Sequence, residues 1–514
     1  MDILFKEGYP MDEEIKKKLP GLFLLSFSTF VVCAPAAFTQ VISFDLMLDL
    51  NSFPGSEYAW AFPAFVAGEC ASMGLCAGIL DRVGRKKPFL FGSLLFIVFT
   101  VACALCKDML IFDIFRLFQG FGAGIIIVTC IAQIFFDVKD PKGRYIANGI
   151  MSLGFGVGML FGVFAGKEFI QTIGWPIAFW AFAILQCIIL YPCLEVLSNG
   201  EKSEKKADVL GGVILIFLAG SVVLYMEMLY LEWEITDVEG IMGAMLIAML
   251  FLAFLVVEFM HPNSMFHRKM DNGRLFTVSM VFILLLGVID MGAVGYMVKI
   301  ALFTYQMSVL EAAPYFVVLV LGAATTAIIL SKTVHKTGHM PWLLLTTALS
   351  PVALLSMKMV SKDDPSFMFA LHLFLLGLGI GCLVSMLNAT IQNRATKDNN
   401  GALMSFAIMA RTIALWLGYN IYQAITDGFM TDHLGETIAH WNEIMPLELP
   451  SNSSLANLLV TPLADFIKII PGLTDEIATV FADGVGYAFT FTAIAFVAIA
   501  LPFSLLLFRR PKTL

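Results

Sequence analysis

The residues of this sequence best suited to chemistry are polar and charged groups set inside long apolar runs. Glu69 lies in Gly68-Glu69-Cys70-Ala71-Ser72, Arg116 in Arg116-Leu-Phe-Gln119-Gly120-Phe-Gly122, Asp290 in Gly287-Val-Ile-Asp290-Met-Gly292, and Arg411 in a fourth such run. A carboxylate in that setting is costly to bury charged, so it holds a proton, faces water or finds a cation, and such groups mark ion or substrate paths by default. Arginine cannot shed its charge and must find carboxylates, carbonyls or water. Glu69 and Asp290 are therefore the candidates for a titrating or cation-binding group. Arg116, Gln119 and Arg411 are the candidates for coupling or substrate contact. Each has a quieter reading: Glu69 as a satisfied acid at a helix crossing, Arg116 as an anchor, and Asp290 paired with Lys299 or capping a broken helix.

A second group of charges is concentrated in Gly78-Ile-Leu-Asp81-Arg82-Val-Gly84-Arg85-Lys86-Lys87. Apolar runs flank this stretch, so its charges occupy a short loop at a membrane surface. Gly78 and Gly84 permit a tight, non-helical turn, Asp81 supplies an anion, and Arg82, Arg85, Lys86 and Lys87 supply cations. The pattern is a compact electrostatic latch.

The elements that position these groups must be membrane helices. Hydrophobic residues make up 59% of the 514, charged residues 14%, and mean hydropathy is +0.85, whereas soluble proteins carry about 25% charge. A spanning helix needs roughly 20 apolar residues. Fourteen runs qualify, near 20–44, 58–78, 88–106, 110–134, 146–167, 175–195, 208–228, 240–260, 275–297, 311–331, 341–359, 367–390, 401–425 and 485–508. With the N-terminus inside, 24 of the 32 Lys and Arg fall on the inner side and 6 on the outer, with Arg116 and Arg411 within helices. That bias places both termini in the cytoplasm and makes the helix count even. The first run is too long for a cleaved signal and is expected to be retained. The net charge of −8 arises mostly outside the inner loops and gives no reason to expect nucleic acid.

Nine cysteines, an odd number within predicted helices, read as free thiols, including the Cys103 and Cys106 pair, and no metal site is expected. Gly154, Gly158, Gly162 and Gly166 recur every four residues in the fifth run, which puts them on one face where another backbone can approach closely. The segment 428–484 reads as a long outer loop, with Thr474 to Phe481 able to form a short amphipathic surface helix and Asn452-Ser-Ser a glycosylation-type triplet.

Several of these stretches carry a family likeness. The Gly78 to Lys87 loop resembles the pattern Gly-x-Leu-x-Asp-Arg-x-Gly-Arg-Lys between helices 2 and 3 of major facilitator superfamily transporters, with every signature position filled. The stretch from Arg116 resembles the superfamily's helix-4 pattern Arg-x-x-Gln-Gly-x-Gly, associated there with proton or substrate coupling. The glycine run resembles the exporter motif Gly-x-x-x-Gly-Pro-x-x-Gly-Gly. Here, however, Met159 or Val163 replaces the proline and Val163 or Lys167 the last glycine, so the kink and the exporter inference are weakened.

Six helices, an inserted pair and six more resemble the 14-helix drug/proton antiporter branch. The implied fold is an all-α polytopic membrane protein: a bundle over 1–198, a linker with an extra hairpin over 199–262, and a second bundle over 263–514. In that family the halves are pseudo-symmetric and substrate sits between them near the midplane. The second-half counterpart of the latch, Ser331-Lys332-Thr-Val-His335-Lys336-Thr-Gly338-His339, is degenerate. By the same resemblance Asp81 meets the positive N-terminal end of helix 13, which begins after Asn399-Asn400-Gly401. Cationic-drug exporters of this branch usually carry an aspartate in mid-helix 1, where this chain has Cys33.

The expectation is a secondary transporter working by alternating access, most simply proton-coupled efflux of hydrophobic or amphipathic small molecules. It is expected to act as a monomer in the lipid bilayer of a prokaryotic plasma membrane, without cofactor. A lipid or glycolipid flippase and an organic-anion or metabolite transporter share the fold; a non-transporting sensor or scaffold is the alternative of another class. No Gly-x-x-x-x-Gly-Lys-Ser/Thr motif is present to point to ATP. Catalytic His, Asp or Cys do not cluster at one depth, so an enzyme is not expected.

Overall fold

The computed structural model describes residues 13–50, 60–199, 202–203, 208–231, 233–260, 273–359, 366–444 and 473–506. In chain order the helices are α1 (Glu13–Val41), α2 (Ser43–Asp49), α3 (Ala61–Val83), α4 (Lys86–Leu105), α5 (Met109–Asp137), α6 (Pro141–Ile173) and α7 (Trp175–Val196). Then come α8 (Val209–Leu231), α9 (Val238–Met260), α10 (Gly273–Val288), α11 (Val294–Phe303), α12 (Val309–Thr337), α13 (Met340–Met357), α14 (Ser366–Arg394), α15 (Asn400–Ile444) and α16 (Leu473–Leu505). A π-helical turn, Ile289–Ala293, joins α10 to α11 within one span. Among the described residues, fourteen helical spans are long and apolar enough to cross a membrane.

Local chemistry sets several of the boundaries. Asp108 caps α5 by accepting from the Ile111 N–H at 3.0 Å. Ser308 and Glu311 exchange bonds at the start of α12, a capping box that satisfies two otherwise orphaned donors. Gly84 and Gly338 end α3 and α12 with φ of +83° and +76°, a region that penalises any side chain. These two glycines sit at equivalent places in the two halves.

The packing repeats with the same logic. In the first half α1 packs on α6 and α3 on α5; in the second, α10 packs on α15 and α12 on α14. The halves meet where α3 touches α15 and where α6 touches α12, the pairing that a two-fold exchange of halves generates. Small residues allow the close crossings. A Cβ on Gly154, Gly158 or Gly162 would collide with the carbonyl oxygens of Ser26, Phe30 and Ala34 on α1, whereas at Gly166 it would press only on the Val41 side chain, at 3.3 Å. Gly377 and Gly381 of α14 face the Leu319 and Ala323 carbonyls of α12 in the same way.

The inserted pair lies at the periphery. α8 packs against α3, where a Cβ on Gly78 would strike the Asp208 carbonyl. α9 leaves Met242, Met245, Met249 and Leu252 exposed, as a face turned to lipid would.

One segment differs from the sequence reading. Residues 428–444 and 473–484, expected as loop, are helical. α15 runs for 45 residues, or about 67 Å at ~1.5 Å per residue, against a hydrocarbon thickness of roughly 30 Å. Its far end is amphipathic: Met430, Leu434 and Ile438 are buried at a spacing of four, while Asp432, His433 and Glu436 are exposed. Residues 474–481 are the first turns of α16, with Leu473, Ile477 and Phe481 buried; Phe481 contacts Phe303 at the end of α11. Asn452-Ser-Ser lies outside the described residues.

Candidate functional site

The latch loop is divided between two tasks. Asp81, nearly buried, accepts from the Gly401 N–H at 2.7 Å and the Ala402 N–H at 3.0 Å. These are first-turn donors of α15, which have no partner in their own helix and sit at its positive end. Arg85 turns the other way. It donates to the Ser198 and Asn199 carbonyls beyond the C-terminal end of α7 and lies 3.6 Å from the Phe136 ring centroid. Burial pulls the Arg85 guanidinium down to about 10, opposed by the charges of Asp81 and Asp137, so it remains a cation at neutral pH. The Lys86 N–H donates to the Asn199 side chain, and Arg82 lies in the field of Asp398 from the other half. Gly78 serves α8 rather than the turn.

Around Asp81 the halves are sealed by residues that the sequence reading did not select. Arg144 of α6 donates to the Phe135 and Val138 carbonyls at the end of α5 and to the Gln392 carbonyl near the end of α14. The guanidinium thus joins the negative ends of two helices from opposite halves. Asn148 donates to the Gln392 side chain at 2.7 Å, Gln392 donates to the Ile131 carbonyl at 2.9 Å, and Asn400 donates to the Ala132 carbonyl at 3.1 Å. Tyr145 and His339 bond across the same interface at 2.9 Å. In the sequence, Arg144 counted only toward topology, and Gln392 is a polar residue near a helix end; neither signals its partner.

Beyond this seal lies a central cavity lined by Cys33, Phe65 and Glu69 from the first half and by Met291, Thr412 and Trp416 from the second. It is small, about 30 Å³. Glu69 is 6% exposed, and its Oε1 is buried without a hydrogen-bond donor. Cys33 and Glu69 face the same space, so α3 supplies the carboxylate where α1 has a thiol.

Asp290, carried by the π turn, pairs with Arg411 of α15 rather than with Lys299. Arg411 Nε and Nη2 both donate to Asp290 Oδ2, the first at 3.1 Å. The guanidinium also lies 4.9 Å from the Phe155 ring centroid of the opposite half, and its charge is felt at Glu69. Arg411 is thus paired with Asp290, while Glu69 lies within reach of its field without an ion-pair contact. π turns recur at functional sites because they displace a side chain from the regular helical register.

Arg116 and Gln119 are elsewhere. Arg116 is fully buried and donates to the Ala61 carbonyl and to Gln119, which in turn donates to Thr100; its guanidinium stands over Phe65 at 4.4 Å. These bonds tie α3, α4 and α5 together inside one half, and neither residue lines the central cavity. Phe65 connects Arg116 to the cavity wall. His372 bonds to Ser356 at 3.0 Å within the second half.

Two similar helical sets, sealed at one end around a small cavity with ionisable walls, define a membrane carrier. The sequence profile of the Major Facilitator Superfamily matches residues 21–419, and the chain belongs to that family; it is a transporter, not an enzyme. Multidrug resistance protein 3 of Bacillus subtilis is 22% identical over 407 residues, covering 77% of each chain. Multidrug transporter protein MdtP of the same organism is 19% identical over 475 residues, covering 88% of this chain and 86% of its own. Among solved structures, the human organic anion transporter MFSD10 superposes with a TM-score of 0.58 at 13% identity, covering 96% of this chain and all of that one. A bacterial homolog of the human lysosomal transporter Spinster, inward-facing and unoccupied, gives 0.57 at 16% identity with 97% of each covered.

Proposed function

We propose that the protein exports hydrophobic or amphipathic small molecules in exchange for protons by alternating access, with Glu69 carrying the coupled proton. The observation that carries this reading is the Glu69 carboxyl, buried in the wall of the central cavity with no donor on Oε1. A bare carboxylate buried there costs several kcal/mol, and Arg411 is already committed to Asp290. A proton removes that cost while the cavity is closed; water or a bound substrate removes it when the cavity opens. Proton and substrate occupancy are thereby made alternatives, which is what exchange requires.

The bias of Lys and Arg toward the sealed end supports reading that end as the cytoplasmic one. The structure then represents a carrier closed to the cytoplasm, with Asp81 and Arg144 holding the closure and the Asp290–Arg411 pair coupling the second half to the cavity. One chain contains the entire path, so we take the monomer in a plasma membrane as the working unit. The apolar cavity wall and relatives named for multidrug transport favour apolar cargo over sugars or other strongly hydrated metabolites.

The test is proton movement in liposomes holding the purified protein, with lipophilic cations, organic anions and labelled lipids offered under an imposed pH gradient. The expected result is that at least one amphipathic compound dissipates the gradient, and that Glu69→Gln abolishes this while compound-for-compound exchange continues. Proton movement that persists in the folded Gln variant refutes the assignment of Glu69. A labelled lipid or anion that crosses without any proton movement refutes the coupling and leaves a carrier of another mode.

A further inference from the structure

The outer part of the second half holds a cation that neither the seal nor the coupling group uses. Lys299 of α11 lies 4.5 Å from the Tyr296 ring centroid and 5.1 Å from that of Tyr419, and it reaches the Tyr419 hydroxyl at 3.4 Å. Its surroundings are two π faces and a phenol, with no carboxylate among the described residues at ion-pair distance. An ammonium has three donors, and one long bond leaves most of that capacity unspent. Next to it, Trp416 stacks on Tyr419 at 5.5 Å and 16° and also lines the central cavity. The indole is 4% exposed, and its Nε1 donor is buried without an acceptor.

Two donors with unspent capacity thus adjoin one aromatic ledge, Trp416 and Tyr419, of which Trp416 belongs to the cavity wall. Arg411, eight residues before Tyr419 on α15 and therefore about 12 Å back along the helix, is neutralised by Asp290. Lys299, by contrast, has no carboxylate at ion-pair distance among the described residues. We propose that Lys299, with Trp416 and Tyr419, forms a binding subsite for the acidic group of an aromatic organic anion. The inference rests on the reading above that cargo occupies the space between the halves, and it names a class of that cargo. The acid accepts from the ammonium and the indole N–H, and its aromatic body packs at the edge of the Trp416–Tyr419 stack. The ring pair holds the ammonium by cation–π attraction when no ligand is bound and yields it to an anion, whose charge-assisted hydrogen bond is stronger.

Binding, rather than transport, tests it. The purified full chain in detergent is titrated calorimetrically with 1-naphthalenesulfonate, and with tetraphenylphosphonium as the cationic control. Wild type is expected to bind the sulfonate. Lys299→Met is expected to weaken it about 10- to 100-fold, the value of one hydrogen bond to a charged group, whereas Lys299→Arg retains it. Trp416→Phe, which keeps a ring and removes the donor, gives a smaller loss. If Lys299→Met does not fold, Lys299→Gln makes the same comparison.

Sulfonate binding that is absent in wild type, or unchanged in a folded Met or Gln variant, overturns the subsite. So does tighter tetraphenylphosphonium binding in those variants, which marks the ledge as a cation cage that Lys299 itself occupies. The assay contains no gradient. Lys299-dependent binding without proton movement in liposomes therefore overturns the coupling reading alone, and Glu69-dependent exchange without Lys299-dependent binding overturns this inference alone.

Discussion

Asp81→Ala is the perturbation whose consequence follows most directly from the geometry. The carboxylate accepts two backbone N–H groups of α15 at 2.7 and 3.0 Å. Hydrogen bonds to an ionised group contribute ~1.5–3 kcal/mol each. The two bonds share one carboxylate, however, and water replaces it at both amides once the halves separate. The closed form therefore loses about 2–4 kcal/mol relative to the open one, with the interaction at the helix end included. At ~1.4 kcal/mol per tenfold, the fraction open at the latch end rises about 30- to 700-fold. Asp81→Asn keeps one acceptor but turns its amide NH2 toward the other α15 N–H, so it should lose nearly as much as Asp81→Ala.

The assay is the alkylation rate of Ser405→Cys by a water-soluble maleimide. Ser405 is fully buried and lies one turn beyond Gly401, on the face that meets Asp81. Cys106 and Cys187, which are not buried, are first replaced by Ser, and the rate of that parent is subtracted. When opening is fast compared with alkylation, the rate is proportional to the open fraction. If Asp81→Ala alkylates at the wild-type rate while its melting temperature is unchanged, the contact with α15 is not a latch, and the reasoning from hydrogen bonds to population fails.

Two further outcomes follow from named contacts. Gly162→Ala places a Cβ against the Ala34 carbonyl, whereas a Cβ at Gly156 meets nothing within 4 Å. Thermal unfolding in detergent should show the first substitution destabilising by ~1–3 kcal/mol, as overpacking does, and the second neutral or stabilising by up to about 1 kcal/mol from helix propensity. His339 tests the seal through pH. Burial, with the Arg394 charge adding to it, holds the ring below its ordinary 6.5, so the closed form binds fewer protons than an open form with an exposed ring. Closure is then fully supported by this group above about pH 6.5 and loses that support as pH falls through the ordinary value toward the depressed one. Only the thiolate reacts, and its fraction falls about 100-fold over two pH units, so the Ser405→Cys rate is divided at each pH by that of the same protein unfolded in denaturant. Lowering pH from about 7.5 to 5.5 should raise that ratio, and His339→Gln should remove that part of the rise. An identical pH response in the variant contradicts the assignment.

What could be read without coordinates depended on whether a residue's signal was local. Apolar runs announce spans because each residue pays its own transfer cost, and the glycine spacing of 154, 158 and 162 announces a face because helical periodicity is local too. The far end of α15 was missed for the same reason. Its buried Met430, Leu434 and Ile438 alternate with charge, so the average hydropathy falls while the helix continues, held by packing rather than by lipid. In the site, Glu69 and Asp290 stood out because an acid in an apolar run is anomalous by itself. Which cation answers Asp290 was not local. Lys299 is nine residues along the same span and Arg411 is 121 residues away in sequence, and only the crossing of the π turn by α15 decides for Arg411. Arg144 and Gln392 show the limit most clearly, since each is ordinary where it stands and acquires its role from a partner 248 residues distant. Lys299 became informative only after Arg411 had taken Asp290. A cation that loses its expected partner to another residue, and stays beside an indole donor without an acceptor, is a vacancy for an anion. The anionic subsite is thus a consequence of how the ion pair was resolved, and it stands or falls with the pairing of Asp290 to Arg411.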